Sequence, residues 1–408
     1  MEKLLHYVWM HKLLPDKTLT TTDGQEVEIL DPGTHNTNRG PDFSNARIRM
    51  DGMTWVGNVE LHTAATDWFR HGHHTDPVYD TTILHVVERA DAGPITMQNG
   101  QHVPQVVVEI PQAVRDNYEE LLVTTDYPRC HRFVAEIPAL KVHAWLDALL
   151  AERMEARARR ILDILKECRG DWEQTTFITL ARNFGFGLNG DIFEMWARRI
   201  PLQAAGKHRD NLLQVESLFL GTAGLTGREE NEDKRRRLDS EYRFLCHKFS
   251  LPGAMDASLW HYLRTRPQNF PDVRIRQLAR LFHEGGCTMS RLLEHGSAEE
   301  VDKRLASLGI SKGSRSLIII NTVASLLYAY DIHHGTYEHR ERAVELLENL
   351  PGERNHILAQ WKACGLDVGT AHDSQALIQL KKEYCDHARC LDCRFGFEYI
   401  SHTMKQHG

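Results

Sequence analysis

Residues 40–88, GPDFSNARIRMDGMTWVGNVELHTAATDWFRHGHHTDPVYDTTILHVVE, contain the strand pattern that decides the fold of the N-terminal part of this chain. Segments 43–50 and 54–62 flank Asp51-Gly52, a dipeptide typical of a two-residue hairpin turn. Segment 82–88 is rich in Val, Ile and Thr and predicts a further strand. Acidic and histidine side chains are concentrated along the stretch, and these are the usual ligands of a catalytic divalent metal. The stretch therefore predicts a sheet that carries a reaction centre.

The composition is that of an ordinary globular protein. The 408 residues are 41% hydrophobic and 26% charged, and this length suggests two or three domains. A net charge of −7 argues against a generally basic protein that coats nucleic acid, although it leaves room for a local basic groove. No run approaches the roughly 20 apolar residues that cross a bilayer, and residues 1–17 have no uninterrupted apolar core of a signal peptide. We therefore expect a cytoplasmic protein with no membrane contact.

The fold class predicted is α+β. Further strands are expected at 17–31, 94–98 and 105–110, and from about residue 112 the pattern becomes helical, most clearly over 139–168. We expect a mixed α/β domain at 1–135, which would be catalytic, and a larger all-helical domain at 136–408 with a cysteine cluster at its C-terminal end.

Three residues of the hairpin form a candidate acid–base and metal centre. Glu60 and His62 share one face of their strand, and Asp42 begins the preceding strand. If Met50 pairs with Met53 across the turn, Asp42 falls opposite Leu61 and faces away from Glu60. One bulged residue, for example at Gly57, would bring both carboxylates to one face. They could then hold Mg²⁺ or Mn²⁺; the alternative is a polar hairpin rim in which Asp42 caps a turn.

The same residues resemble the PD-(D/E)XK nuclease superfamily. Pro41-Asp42 is similar to its PD element, Glu60-Leu61-His62 to its (D/E)-X-K element, and a helix at 64–71 and a strand at 82–88 follow in the expected order. The resemblance implies a restriction-endonuclease-like sheet in which Asp42 and Glu60 bind a divalent metal. His62 stands where that superfamily has lysine, and it could act as acid, base or phosphate contact.

A second candidate site follows directly in the chain. His71, His73 and Asp76 have the ligand chemistry of a zinc site, with Gly72 able to turn the two imidazoles toward each other. The alternative is an exposed loop of hydrogen-bonded histidines.

The C-terminal segment CDHARCLDC (385–393) predicts a third site. Cys385, Cys390 and Cys393 have the spacing C-x4-C-x2-C, which suits Zn²⁺ or an iron–sulfur cluster. A fourth ligand is required, and the candidates are His387, Cys364 and Cys130. The expected role is structural; the alternative is reduced cysteine without a metal.

The chain as a whole resembles an uncharacterised bacterial family known only as a domain of unknown function. The resemblance lies in four runs: DPGTHNTNRGPDF (31–43), GNVELHTAATDW (57–68), ITLARNFGFGLNGD (178–191) and DSQALIQLKKEYCDHARCLDC (373–393). It implies no particular activity.

Three functions therefore stand as hypotheses. The first is a metal-dependent phosphodiesterase or nuclease that acts on nucleic acid through Asp42, Glu60 and His62. The second is a non-enzymatic module that binds nucleic acid or protein and has a structural metal site. The third is a zinc-dependent hydrolase of a small molecule that uses His71, His73 and Asp76.

Overall fold

The protein has an α+β architecture with a strand-rich N-terminal part and a larger helical part. The computed structural model describes residues 2–16, 18–263, 265–286 and 288–402. These residues fall into two compact units. The first comprises Met1–Val142, Ala363–Leu366 and Lys381–Gly408, and the second comprises His143–Lys362 and Asp367–Leu380. The expected domain boundary at 135/136 lies close to Val142, where the first range of the first unit ends. The cysteine segment from Lys381 onward was expected in the helical domain, but it belongs to the first unit.

A mixed sheet is the centre of the first unit. Its strands have the order β1-β2-β4-β5-β6-β9, with β3 paired to β4, and a separate two-stranded sheet joins β7 and β8. The strands are β1 Thr18–Thr20, β2 Glu26–Asp31, β3 Thr34–His35, β4 Phe43–Met50, β5 Met53–Ala64, β6 Thr82–Arg89, β7 Ile95–Thr96, β8 His102–Val103 and β9 Gln105–Val107. Strands β2, β4 and β5 are antiparallel neighbours, whereas β5, β6 and β9 run parallel. The predicted hairpin is confirmed, since Met50 pairs with Met53.

A one-residue register shift in β4 decides which side chains share a face. Ala46 pairs with Gly57 in the register set by the turn, but Phe43 pairs with Val59, so β4 carries one extra residue in between. Asn45 within this bulge has a φ of 58°, a left-handed conformation that Asn tolerates better than most residues. The shift places Asp42 beside Glu60 and not opposite Leu61. The bulge that the metal hypothesis requires is therefore present, although it lies in β4 and not at Gly57.

Helices and a short crossover cover the sheet of the first unit. Helix α1 (Glu2–Met10) lies against β5 and buries Leu4, Leu5, Val8 and Trp9. The crossover from β5 to β6 contains helix α2 (Asp67–Arg70) and two 3-10 turns, His73–Thr75 and Pro77–Tyr79. Trp68 and Tyr79 from this crossover pack with Val87 and Ile95 in one buried cluster. The crossover thus holds its histidines against the ends of the central strands.

The remaining elements are helical. The predicted long helix is confirmed as α4 (Ala139–Glu167). The other α-helices are α3 Gln112–Val123, α5 Trp172–Phe184, α6 Phe186–Ala197, α7 Leu202–Gly206, α8 Leu212–Thr222, α9 Glu232–Phe249, α10 Pro271–His283, α11 Met289–Leu292, α12 Ser297–Ser307, α13 Lys312–Ile318, α14 Ser325–His334, α15 Glu338–Asn349, α16 His356–Ala363, α17 Ala371–Gln379 and α18 Arg394–Ser401. A π-helical turn, Ile319–Ala324, joins α13 to α14, and another, Leu380–Cys385, follows α17.

Within the part of the chain that the structure describes, one helical run is long and apolar enough to cross a membrane. It covers Lys312–His334, and 67% of its most apolar window is buried inside the protein. Because a buried core helix has the same length and composition, this run is weak evidence for a membrane span.

The β4 bulge yields a prediction for Gly33. A Cβ atom at Gly33 would lie 2.6 Å from the carbonyl oxygen of Ser44 and 2.9 Å from the amide nitrogen of Ala46, so Gly33→Ala should displace the bulge. Gly24→Ala is a matched control, because Gly24 also has a positive φ but nothing within 4 Å of its added Cβ. Strain alone costs about 1–3 kcal/mol. Urea unfolding should show a distinctly larger loss for Gly33→Ala than for Gly24→Ala; equal losses would contradict the packing described.

Glu194 in the second unit yields a pH-dependent prediction. Burial would raise the pKa of Glu194, but hydrogen bonds from Arg198, Arg160 and Arg182 outweigh it and lower the pKa to about 2. Because the folded-state pKa lies below the ordinary value of 4.5, this stabilisation is present above pH 4.5 and is lost as the pH falls toward 2. Glu194→Gln should cost roughly 1.5–3 kcal/mol in urea unfolding at pH 7. The cost should shrink below pH 4.5, whereas the exposed Asp191→Asn, a control on the same Arg182, should change little.

Candidate metal centre

The carboxylates of Asp42 and Glu60 each accept a hydrogen bond from the backbone of the neighbouring strand. The amide of Asp42 donates to Glu60 Oε2 at 3.0 Å, and the amide of Leu61 donates to Asp42 Oδ2, also at 3.0 Å. Asp42 Oδ2 also lies 3.3 Å from His6 Nε2 on helix α1. The two carboxyl groups that the sequence singled out therefore occupy one place in the sheet, and the β4 bulge puts them there.

Three histidines converge on Glu60. Glu60 Oε1 lies 3.0 Å from His73 Nε2 and 3.4 Å from His62 Nε2. His62 Nε2 lies 3.2 Å from His71 Nδ1. One nitrogen from each of His62, His71 and His73 can be chosen so that all three lie within 4.8 Å of one another. The two sites that the sequence suggested separately, around Glu60 and around His71, are thus one centre.

A row of hydrogen bonds behind the centre sets the tautomer of His62. With Gln105 Oε1 accepting from His85 Nδ1 at 3.1 Å, His85 Nε2 becomes an acceptor, and His62 Nδ1 donates to it at 2.9 Å. His62 Nε2 then carries a lone pair, which can accept a hydrogen bond from His71 Nδ1 at 3.2 Å and lies 3.4 Å from Glu60 Oε1. A metal ion at this place would take the same lone pair in place of the His71 proton.

Burial lowers the pKa of two imidazoles of the centre, those of His62 and His85. Burial, followed by the charge of His85, lowers the pKa of His62 to about 2, and burial lowers the pKa of His85 to about 4. Burial also raises the pKa of Glu60, although the contact with His73 works against the rise. His62 is 1% exposed and Glu60 is 4% exposed, while His71 is open to solvent. Neutral imidazole is the form that binds metal ions.

The donor set fits a divalent metal ion. His73 Nε2 is buried and lacks a properly oriented hydrogen-bond partner, although Glu60 Oε1 is only 3.0 Å away. His6 Nε2 is likewise buried without a properly oriented hydrogen-bond partner, although Asp42 Oδ2 is 3.3 Å away. His62, His71 and His73 could therefore hold the ion, with Glu60 beside His62 and His73 as the neighbouring carboxylate. Imidazoles combined with carboxylates suit Mn²⁺ or Zn²⁺ better than Mg²⁺, which prefers oxygen ligands alone.

Asp76 does not join this group. Its Oδ2 pairs with Arg39 at 2.7 Å, and its Oδ1 accepts from the amide of Val78. Of the three zinc ligands suggested by the sequence, His71 and His73 therefore lie at the centre. Asp76 instead forms contacts within the first unit that hold the crossover.

The C-terminal cysteines lie elsewhere in the first unit. Cys385, Cys390 and Cys393 line one small pocket together with Cys130, whereas Cys364 and His387 do not line it. None of the described cysteines forms a disulfide.

A cleft lies beside Asp42 within the first unit. Its volume is about 350 Å³. Helix α1 supplies Lys3, His6, Tyr7 and Met10, and the loop before α18 supplies His387, Ala388, Arg389, Leu391 and Asp392. His6 both lines the cleft and contacts Asp42, so this side chain connects the wall of the cleft with the carboxyl pair.

Several members of the centre had no distinct sequence signal. His6 is distant from Asp42 in sequence and reaches it because helix α1 packs on β5. Gln105 reaches His85 because β9 pairs with β6. Tyr79 stacks on His73 with ring centroids 3.8 Å apart. Tertiary pairing, which local pattern does not encode, brings each of these side chains to the site.

The chain belongs to a family whose model is described as "Protein of unknown function (DUF2851)". The model matches residues 2–308, which include every residue of the centre. Comparison with curated proteins and with solved structures finds no match.

The centre predicts a selective effect on metal binding. His73→Ala should remove a ligand and abolish tight binding of Mn²⁺ or Zn²⁺, while Gln105→Ala should weaken it by about 10–100-fold through the lost orientation of His85 and His62. His74→Ala is the matched control, because His74 is adjacent in sequence but packs on Phe69. Isothermal titration calorimetry on protein stripped of metal measures these affinities. Equal affinity for His73→Ala and His74→Ala would contradict the ligand assignment.

Proposed function

We propose that this protein is a metal-dependent phosphodiesterase that acts on nucleic acid, with its reaction centre at Glu60, His62, His71, His73 and Asp42. The observation that carries the proposal is the β4 bulge, which places Asp42 beside Glu60 on adjacent strands. Helix α2 and strand β6 follow β4 and β5 in the order that the PD-(D/E)XK resemblance implies. A buried carboxylate beside several imidazole nitrogens is ligand chemistry that suits a divalent ion.

Each residue has a distinct task in this proposal. Glu60 and the three histidines hold the ion, and the ion would polarise a phosphoryl oxygen and activate water for attack. Asp42 accepts a hydrogen bond from Leu61 and contacts His6, so it can accept a proton from the attacking water or orient it. His62 replaces the lysine of the resembling motif and acts as a ligand, because its Nε2 faces Glu60 and His71.

The cleft beside Asp42 supports a phosphate-bearing substrate. Lys3 contributes positive charge, Arg389 is paired with Asp392 of the same wall, and His6, His35 and His387 contribute hydrogen-bonding rings. Cationic side chains along a groove attract the phosphate backbone even when the whole protein is acidic. This local charge is the reason to prefer nucleic acid over a neutral small molecule.

The set of three imidazoles supports a second candidate, a zinc-dependent hydrolase of a small molecule. His62, His71 and His73 offer the nitrogen ligands that Zn²⁺ prefers. This function predicts one equivalent of zinc at the centre and no cleavage of nucleic acid. The non-enzymatic alternative predicts nucleic-acid binding that survives both Asp42→Asn and Glu60→Gln.

The test is cleavage of labelled single- and double-stranded DNA and RNA in Mn²⁺, together with bis(p-nitrophenyl) phosphate as a generic phosphodiester. Mutation of a residue that orients a metal ligand typically lowers metal affinity or activity by about 10–100-fold. Glu60→Gln alters a ligand itself, so it should reduce the cleavage rate by roughly 100-fold or more. Asp42→Asn should also be slow, and His74→Gln should be close to the unchanged protein. Circular dichroism and unfolding curves establish that the variants are folded.

Two results would contradict the proposal. Equal cleavage by Glu60→Gln and the unchanged protein would show that the activity arises elsewhere. Absence of cleavage by protein that demonstrably holds its metal would favour the small-molecule hydrolase or the binding module.

A further inference from the structure

Four cysteines from two distant parts of the chain meet in the first unit. Cys130 lies in the loop that follows α3, and Cys385, Cys390 and Cys393 lie between the π-helical turn Leu380–Cys385 and α18. All four line one pocket of about 20 Å³, whose other walls include Leu121 and Tyr384. Four cysteine side chains around one pocket are the donor set of a zinc site or of an iron–sulfur cluster.

The surroundings suit thiolates that are bound to a positively charged centre. Cys130 and Cys393 are buried, so four thiolates in this place require compensation. Arg129 and Arg389 line the pocket. Metal binding deprotonates cysteine and removes the cost of an isolated buried thiolate.

The spacing of the sulfur atoms distinguishes between a single ion and a cluster. Four sulfurs around one Zn²⁺ at about 2.3 Å stand about 3.8 Å apart. Among the described residues, three metal-donor atoms lie within 4.8 Å of one another in the histidine set, and no three cysteine sulfurs are that close. In a four-iron cluster each thiolate binds a different iron, so the sulfurs surround a larger body.

We propose that Cys130, Cys385, Cys390 and Cys393 bind an iron–sulfur cluster. The cluster joins the loop after α3 to the C-terminal segment and holds that segment in place. Gly396 on α18 supports this arrangement, because an added Cβ there would lie 2.0 Å from the carbonyl oxygen of Cys390. The backbone therefore approaches closely at the point where the last two cysteines turn toward the pocket.

The position of the cluster has a consequence for the cleft. His387, Arg389 and Asp392 lie between the cysteines in sequence and line the cleft beside His6. Because the cluster would fix the cysteines before and after these residues in the chain, it would also fix the side of the cleft that they form. This consequence rests on the proposed phosphodiesterase function, whereas the cluster itself does not.

The experiment is anaerobic purification of the full-length protein, followed by measurement of iron, zinc and acid-labile sulfide and by visible absorption. We expect about four iron and four sulfide per chain, as one four-iron cluster requires, and broad absorption in the visible range. Cys130→Ser, Cys390→Ser and Cys393→Ser should each lose most of the iron. Cys364→Ser, which alters a cysteine of the same unit outside the pocket, should keep it.

The outcomes distinguish a cluster from a zinc site and from thiols without a metal. Zinc without iron would overturn the cluster, and so would metal-free protein that remains colourless after anaerobic reconstitution with ferrous iron and sulfide. Iron that is retained by Cys130→Ser would overturn the assignment of the fourth ligand. If a cysteine variant fails to fold, the iron and sulfide content of the unchanged protein and of Cys364→Ser still decides whether the protein binds a cluster. None of these measurements depends on nuclease activity, so failure of either proposal is recognisable.

Discussion

The candidate centre depends on one extra residue in β4. Without it, Asp42 would lie opposite Leu61 and face away from Glu60, because side chains alternate along a strand. With it, the two residues are joined by hydrogen bonds between their side chains and the neighbouring backbone, and Asp42 also reaches His6. Gly33 packs so closely against Ser44 and Ala46 that a larger residue would disturb the bulge. A local irregularity of the sheet, held by a close backbone contact, thus sets the position of both carboxyl groups.

The histidines around Glu60 impose a second requirement on the centre, which concerns their hydrogen bonds. Burying a carboxylate among uncharged imidazoles is unfavourable unless a cation or a complete set of hydrogen bonds compensates for the lost hydration. Hydrogen bonds engage both ring nitrogens of His85 and both ring nitrogens of His62. The buried Nε2 of His73, 3.0 Å from Glu60 Oε1, has no such properly oriented partner. A divalent ion held by the imidazoles and Glu60 would satisfy this nitrogen, which gives a physical reason for polar residues to be buried here in place of apolar ones.

The sequence predicted the hairpin, the α+β class and the long helix α4, because these follow from turn chemistry and periodicity. It could show that a bulge was required, but not where, since Gly57 was an equally reasonable place. Gly57 instead lies against Ile83, whose Cγ2 would be 2.3 Å from an added Cβ. The sequence also treated His71 and His73 as a separate site, because only the folding of the crossover against β5 brings them to Glu60. In the same way, spacing alone could not choose Cys130 over Cys364.

The central claim is that carboxylates and several imidazoles share one divalent ion. Pulsed electron paramagnetic resonance of the protein with one equivalent of Mn²⁺ tests it most directly, because nitrogen nuclei bound to manganese modulate the electron spin echo. We expect strong modulation from coordinated imidazole nitrogen, reduced when His73 is replaced by alanine and unchanged when His74 is replaced. A spectrum of manganese surrounded only by oxygen ligands would contradict the claim.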